Sequence, residues 1–125
     1  MDVTTVDGQL RITFDRPESM NAFTAEAAQE VASAVEGASI EDHDAVVLTG
    51  EGEAFSAGGD IQSMAEREET PRAAYDRVYE TFGRVVEAML DCRVPIVAKV
   101  NGDAVGAGLA ITALSDFAYA GEDAT

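Results

Sequence analysis

The chain has 125 residues, 46% of them hydrophobic, which suits one ordinary domain with its own core. Its 24 acidic and 8 basic side chains leave a formal net charge of −16, so nucleic acid and anionic membranes are poor partners. No apolar run approaches the roughly 20 residues that span a bilayer, the opening residues carry no leader pattern, and the lone Cys92 has no internal disulfide partner; a cytoplasmic protein is expected.

Val3 to Val6 and Leu10 to Phe14 read as two short strands joined at Asp7-Gly8, a hairpin turn pair. Arg16-Pro17 ends the second. Thr24 is placed to cap a helix whose apolar stripe is Ala27, Val31, Ala34, Val35 and Ala38. Ala45 to Thr49 reads as a strand buried on both faces, and it enters a loop, Gly50 to Asp60, with four glycines. A short helix is expected from about Ile61 to Glu69, and Pro71 stands where another can begin. Tyr75, Val78, Tyr79, Phe82, Val85, Val86 and Met89 recur at 3-4 spacing, which predicts a long helix with these side chains in the core. Val94 to Val100 is a further strand, Asn101 to Gly108 a second glycine-rich turn, Leu109 to Leu114 a helix and Asp116 to Ala120 a last strand. That order implies α/β layers with a parallel portion.

One design occurs twice, over Val46 to Ile61 and Ile96 to Leu114: a buried strand, a glycine-rich turn, then a helix. Such turns aim backbone N–H groups outward, and helix N-termini carry partial positive charge. Two of them side by side would hold a developing oxyanion between two donors. Competing readings fit less well. A dinucleotide fingerprint at Gly50-Glu51-Gly52 meets Glu53, which repels pyrophosphate, and Phe55 at the sixth position. A Ser56–His43 hydrolase lacks the first glycine of the nucleophile elbow, and His43 in Glu41-Asp42-His43-Asp44 reads as a solvated surface residue. One His and one Cys make a zinc site improbable, and the carboxylates show no metal-loop spacing. Cys92 reads as a small hydrophobe at a strand edge.

Asp15-Arg16-Pro17 with Asn21-Ala22, Leu48-Thr49-Gly50, Ala54-Phe55-Ser56-Ala57-Gly58-Gly59-Asp60-Ile61, Pro95 to Val100, and Val100-Asn101-Gly102-Asp103-Ala104-Val105-Gly106-Ala107-Gly108-Leu109 followed by Ser115-Asp116 appear in register. Together they resemble the crotonase (enoyl-CoA hydratase/isomerase) superfamily over the whole chain. The resemblance implies the N-terminal part of a crotonase-like (ClpP/crotonase) α/β spiral of β-β-α units, residues 1–125, with the family's C-terminal helical region absent. Family members run to about twice this length, so exposed apolar surface is expected if the chain ends at Thr125.

The resemblance further implies an acyl-CoA enzyme that stabilises a thioester enolate, a hydratase or an isomerase. Gly59 and Ala107 map to the two oxyanion-hole N–H donors. Ala57, Gly59, Asp60, Ile61, Gln62 and Ala107 map to the substrate and CoA contacts. No separate cofactor or metal is implied, coenzyme A being part of the substrate. The family also implies a homo-oligomer, a trimer or a dimer of trimers. Ala107 replaces the usual middle glycine of a triplet, which a backbone donor tolerates at helical φ. Ala110 replaces the first glutamate of hydratases, and the other acid/base carboxylate would fall beyond Thr125. That leans toward an isomerase with a single proton-carrying carboxylate. Glu66 and Asp103 read as a solvated helix residue and a turn residue, Asp60 as a helix cap. The Ser56 hydroxyl carries no role in this reading, so Ser56→Ala is expected to be mild. The alternative on the same fold is a non-catalytic CoA-binding or assembly module. The acids are interleaved with apolar residues, as in the solvated shell of a halophile, where a Debye length of about 3 Å at 1 M salt screens self-repulsion.

Overall fold

Alternation along β2 (Gln9–Phe14) puts Leu10, Ile12 and Phe14 on one face, and all three are buried in the computed structural model, which describes residues 1–59 and 70–124. β1 (Asp2–Val6) pairs with it antiparallel across Asp7-Gly8, whose φ values of 51° and 81° are those a two-residue hairpin needs. From β2 onward the main sheet is parallel, with strand order β1-β2-β3-β5-β7. β3 (Ala45–Gly50) and β5 (Ile96–Val100) are its centre, and Val46, Leu48, Ile96 and Ala98 are buried there. Around β3 the burial is less complete than expected: Ala45 and Val47 on its other face are half-buried. β7 (Phe117–Ala120) forms an edge and is exposed along its length. The Asp116 carboxylate just before it accepts the Ile96 N–H at 2.7 Å, which fixes where β5 starts after Pro95.

Parallel neighbours need crossovers, and helices supply them. α1 (Ala25–Glu36) begins at Thr24, whose hydroxyl accepts the Ala27 N–H at 3.0 Å, and it buries Ala28, Val31, Ala32 and Val35. α2 (Pro71–Asp91) begins the same way: Thr70 accepts the Ala73 N–H at 3.1 Å, and Pro71 takes a position where no N–H is required. The two helices pack together, and the Arg84 guanidinium clasps Glu36 through bonds of 2.9 and 3.0 Å. A third helix, α3 (Ala107–Leu114), precedes β7.

Two expectations change. The apolar stripe of α2 was expected in the core, yet only Val85, Ala88 and Met89 are buried, with Phe82 half-buried. Tyr75, Val78 and Tyr79 are 64%, 49% and 59% exposed. Periodicity identifies the apolar face, but the 12-residue α1 cannot back the 21-residue α2 along its whole length. Secondly, both glycine-rich turns contain short strands, β4 (Ala54–Ser56) and β6 (Asp103–Ala104), which pair parallel in a sheet of their own. The helix expected over Ile61 to Glu69 lies outside the described residues. Among the described residues no helix is long and apolar enough to cross a membrane, and no cluster of side chains suits a metal.

Candidate functional site

Two asparagines hold the first turn as it leaves β3. Asn101 accepts the Gly50 N–H at 3.0 Å and donates to the carbonyls of Gly52 (3.0 Å) and Ala54 (3.1 Å). Asn21 is buried and left-handed (φ 56°), a conformation that its short amide tolerates. It accepts the Arg16 N–H at 2.9 Å and donates to Glu51 (3.0 Å) and Ala54 (2.9 Å). The Ala54 carbonyl thus receives two amides from opposite ends of the chain. Sequence reasoning quoted both asparagines within motifs but missed this task, because a contact over 33 or 47 residues leaves no local periodicity.

The second turn is pressed against the first. A Cβ on Gly102 would sit 1.8 Å from the Glu53 carbonyl oxygen, and one on Gly108 would sit 2.5 Å from the Ser56 carbonyl oxygen. Glycine at these positions is what allows β4 and β6 to pair and α3 to start against β4. The Ser56 carbonyl also accepts the Val105 N–H at 3.0 Å.

The chain then places both expected donors. Past β4, Ala57 donates to the Met20 carbonyl (2.9 Å) and the Gly58 carbonyl accepts the Phe23 N–H (2.6 Å), so Gly59 bridges to Phe23 as a continuation of the strand. Ala107 is the first residue of α3, after Gly106 at its cap. Its φ is not left-handed, so the methyl group is accommodated as expected. Neither the Gly59 nor the Ala107 N–H donates to another described residue. Both residues line one cavity of about 450 Å³. Phe23, Ala28, Val78, Phe82 and Ala110 give it an apolar wall, and Arg77 is its charged residue. The described lining contains no carboxylate. Phe23 is held there by edge-on contacts to Phe14 (5.3 Å between centroids) and Phe82 (6.4 Å). That volume lies within the roughly 300–1,000 Å³ of small-molecule sites.

Other expected residues fall elsewhere. Ala57 is exposed beside the turn and does not line the cavity; Asp103 belongs to β6 and does not line it either. Asp60, Ile61, Gln62 and Glu66 lie outside the described residues. His43 is not a free surface side chain: it is half-buried, its Nδ1 accepts the Ser39 N–H at 3.1 Å, and its Nε2 faces the Thr5 hydroxyl at 3.4 Å. Ser56 is fully buried, and its hydroxyl donates to the Asn21 carbonyl at 2.9 Å. A Ser56–His43 dyad is therefore excluded. The half-buried Cys92 caps α2, its thiol 3.4 Å from the Val94 carbonyl.

Residues 5–125 match the enoyl-CoA hydratase/isomerase family. The chain belongs to that family. It is 33% identical to enoyl-CoA delta isomerase 2 of Rattus norvegicus, covering 98% of this chain and 32% of the rat protein. To a (7aS)-7a-methyl-1,5-dioxo-2,3,5,6,7,7a-hexahydro-1H-indene-carboxyl-CoA hydrolase of Mycobacterium tuberculosis it is 38% identical, covering 98% and 49%. A solved enoyl-CoA hydratase/isomerase from Mycobacterium paratuberculosis superimposes with a TM-score of 0.85 at 34% identity, again over 98% and 49%. The fold is of the crotonase type. The chain spans from a third to a half of the relatives it matches, and those family members carry an isomerase, a hydratase/isomerase and a hydrolase name.

Proposed function

We propose that this chain supplies the enolate-stabilising part of an acyl-CoA enzyme, with the Gly59 and Ala107 N–H groups as the donors to the thioester oxygen. The observation that carries this reading is one apolar cavity onto which both turns open while neither N–H is engaged among the described residues. A thioester carbonyl oxygen carries little charge, and an enolate oxygen carries close to a full one. Fixed donors therefore favour the transition state selectively, each by about 3–4 kcal/mol. The Ala107 donor adds the positive end of α3. Coenzyme A enters as part of the substrate, with no further cofactor.

The reaction we favour is a double-bond shift. A carboxylate outside the described lining removes a proton from C2 of a 3-enoyl thioester. The negative charge moves to the thioester oxygen between the two N–H groups, and the same carboxylate returns the proton at C4 to give the 2-enoyl product. Ala110 supports this choice, because a methyl group stands on the cavity wall where a hydratase's first glutamate is expected. Two carboxylates around one water are the requirement of hydration; one suffices for isomerisation.

In the full-length protein, 3-enoyl-CoA should be converted to the 2-enoyl isomer while crotonyl-CoA is hydrated slowly. Fast hydration without isomerisation would overturn the choice of reaction. Ala107→Pro removes one donor at a helix position that accepts proline, so a folded variant should lose about a hundredfold or more in kcat. Ala107→Gly keeps the N–H and should be mild. A folded Ala107→Pro enzyme with full activity would refute the donor assignment.

A further inference from the structure

Ser56 touches both turns at once. Its hydroxyl donates to the Asn21 carbonyl (2.9 Å) and accepts the Gly58 N–H (3.2 Å), one peptide before Gly59. Its carbonyl takes the Val105 N–H (3.0 Å), two residues before Ala107. Its main chain and Cβ abut Gly108, where an added Cβ would come within 2.8 Å of the Ser56 Cβ. The side chain is fully buried, so no water competes for these bonds. An interior this closely packed shifts its neighbours when one contact is lost.

We infer that Ser56 is a positioning residue which sets the separation between the Gly59 and Ala107 N–H groups, its hydroxyl locking the first turn while its backbone locks the second. The inference rests on the donor assignment proposed above. It replaces the expectation that this hydroxyl has no task. In Ser56→Ala the Gly58 N–H and the Asn21 carbonyl lose their partner, and the first turn is free to relax away from the second. A ligand whose oxygen becomes negative needs both donors at once; a neutral thioester does not.

The test compares two probes of nearly equal size: acetoacetyl-CoA, which can bind as its enolate, and butyryl-CoA, which cannot. Wild-type protein should bind acetoacetyl-CoA more tightly and raise the enolate's ultraviolet absorbance. Ser56→Ala should lose about tenfold of that preference while butyryl-CoA affinity moves by less than about twofold. Circular dichroism and a denaturation midpoint check the fold. If Ser56→Ala does not fold, Ser56→Cys keeps the shape with a somewhat larger, weaker hydrogen-bonding group and, once folded, should show the same loss in smaller measure. Wild-type preference with an unchanged preference in the folded variant overturns the positioning role alone. No preference in the wild type overturns the donor assignment, and this inference with it. Equal weakening of both probes identifies a purely structural serine and also overturns it.

Discussion

Side chains tie down the turn that ends at Gly59, whereas a helix ties down the turn that ends at Ala107. The first relies on Asn21, Asn101 and Ser56, which reach it from other segments or from the strand before it. The second relies on backbone bonds: Gly108 to Val105 at 3.0 Å and Ala110 to Gly106 at 2.9 Å, with no side-chain cap. A donor at a helix start inherits its direction from the helix; a donor in a turn inherits it from whatever amides and hydroxyls surround it. The first should therefore be open to single substitutions that leave the second in place.

The contact between the turns gives the largest expected effect. Gly102→Ala drives a methyl group into the Glu53 carbonyl, which is backbone and cannot swing aside, and should cost at least about 3 kcal/mol. Gly121→Ala meets nothing nearer than 4.0 Å and should be close to neutral in the same chemical denaturation experiment. Equal midpoints for the two would mean that the turns are not in contact. Next comes the asparagine pair. Asn21→Ala takes this partner from the Arg16 N–H and the Glu51 carbonyl, both part-buried, leaves the Ala54 carbonyl with Asn101 alone, and places alanine at a left-handed φ, for about 2–3 kcal/mol. Asn101 is exposed, and the Ala54 carbonyl keeps Asn21, so Asn101→Ala should cost about 1 kcal/mol. The reverse order would move the anchor of the first turn from Asn21 to Asn101.

These asparagines also mark the limit of what the sequence discloses. The hairpin at Asp7-Gly8, the Thr24 cap, the positions of the central strands and the start of α2 at Pro71 are written in neighbouring residues, and the structure has each of them there, though β3 is buried on one face only. β4 and β6, three and two residues long, are too short to express a period. The exposure of Tyr75 and Tyr79 depends on how far α1 extends, a fact stored elsewhere in the chain. At the candidate site, the two glycine-rich turns were legible because a strand, glycines and a helix in succession have a local signature; Gly59 and Ala107 are singled out within them by the family resemblance, and the hydroxyl and amides that hold the turns have no such signature.

Smaller effects separate the turns from the rest of the molecule. Raising KCl from about 0.1 M to molar concentrations should raise the denaturation midpoint, because it screens the repulsion of a chain with net charge −16. A flat or falling midpoint removes the acidic-shell reading. The smallest effect belongs to the clasp between α1 and α2. The hydrogen bond from Arg84 holds the Glu36 carboxyl below its ordinary value of 4.5. A group depressed in the folded state stabilises above its unfolded pKa, and that contribution fades as pH falls through the lower, folded value. Glu36→Gln should therefore be slightly less stable than wild type at pH 7, the gap closing in acid, with both turns unaffected. A gap that persists there would assign the effect to packing.

The chain has three tyrosines and no tryptophan, and all three tyrosines stand on its outer surface: Tyr75 and Tyr79 stacked on α2 at 64% and 59% exposure, Tyr119 on β7 at 67%. The protein thus carries its tyrosines where its apolar surface is bare, and only the weakly emitting phenylalanines Phe14, Phe23 and Phe55 in its core. Ultraviolet emission will report anything that settles on α2 or β7 without a label, and will stay nearly silent when the core alone rearranges.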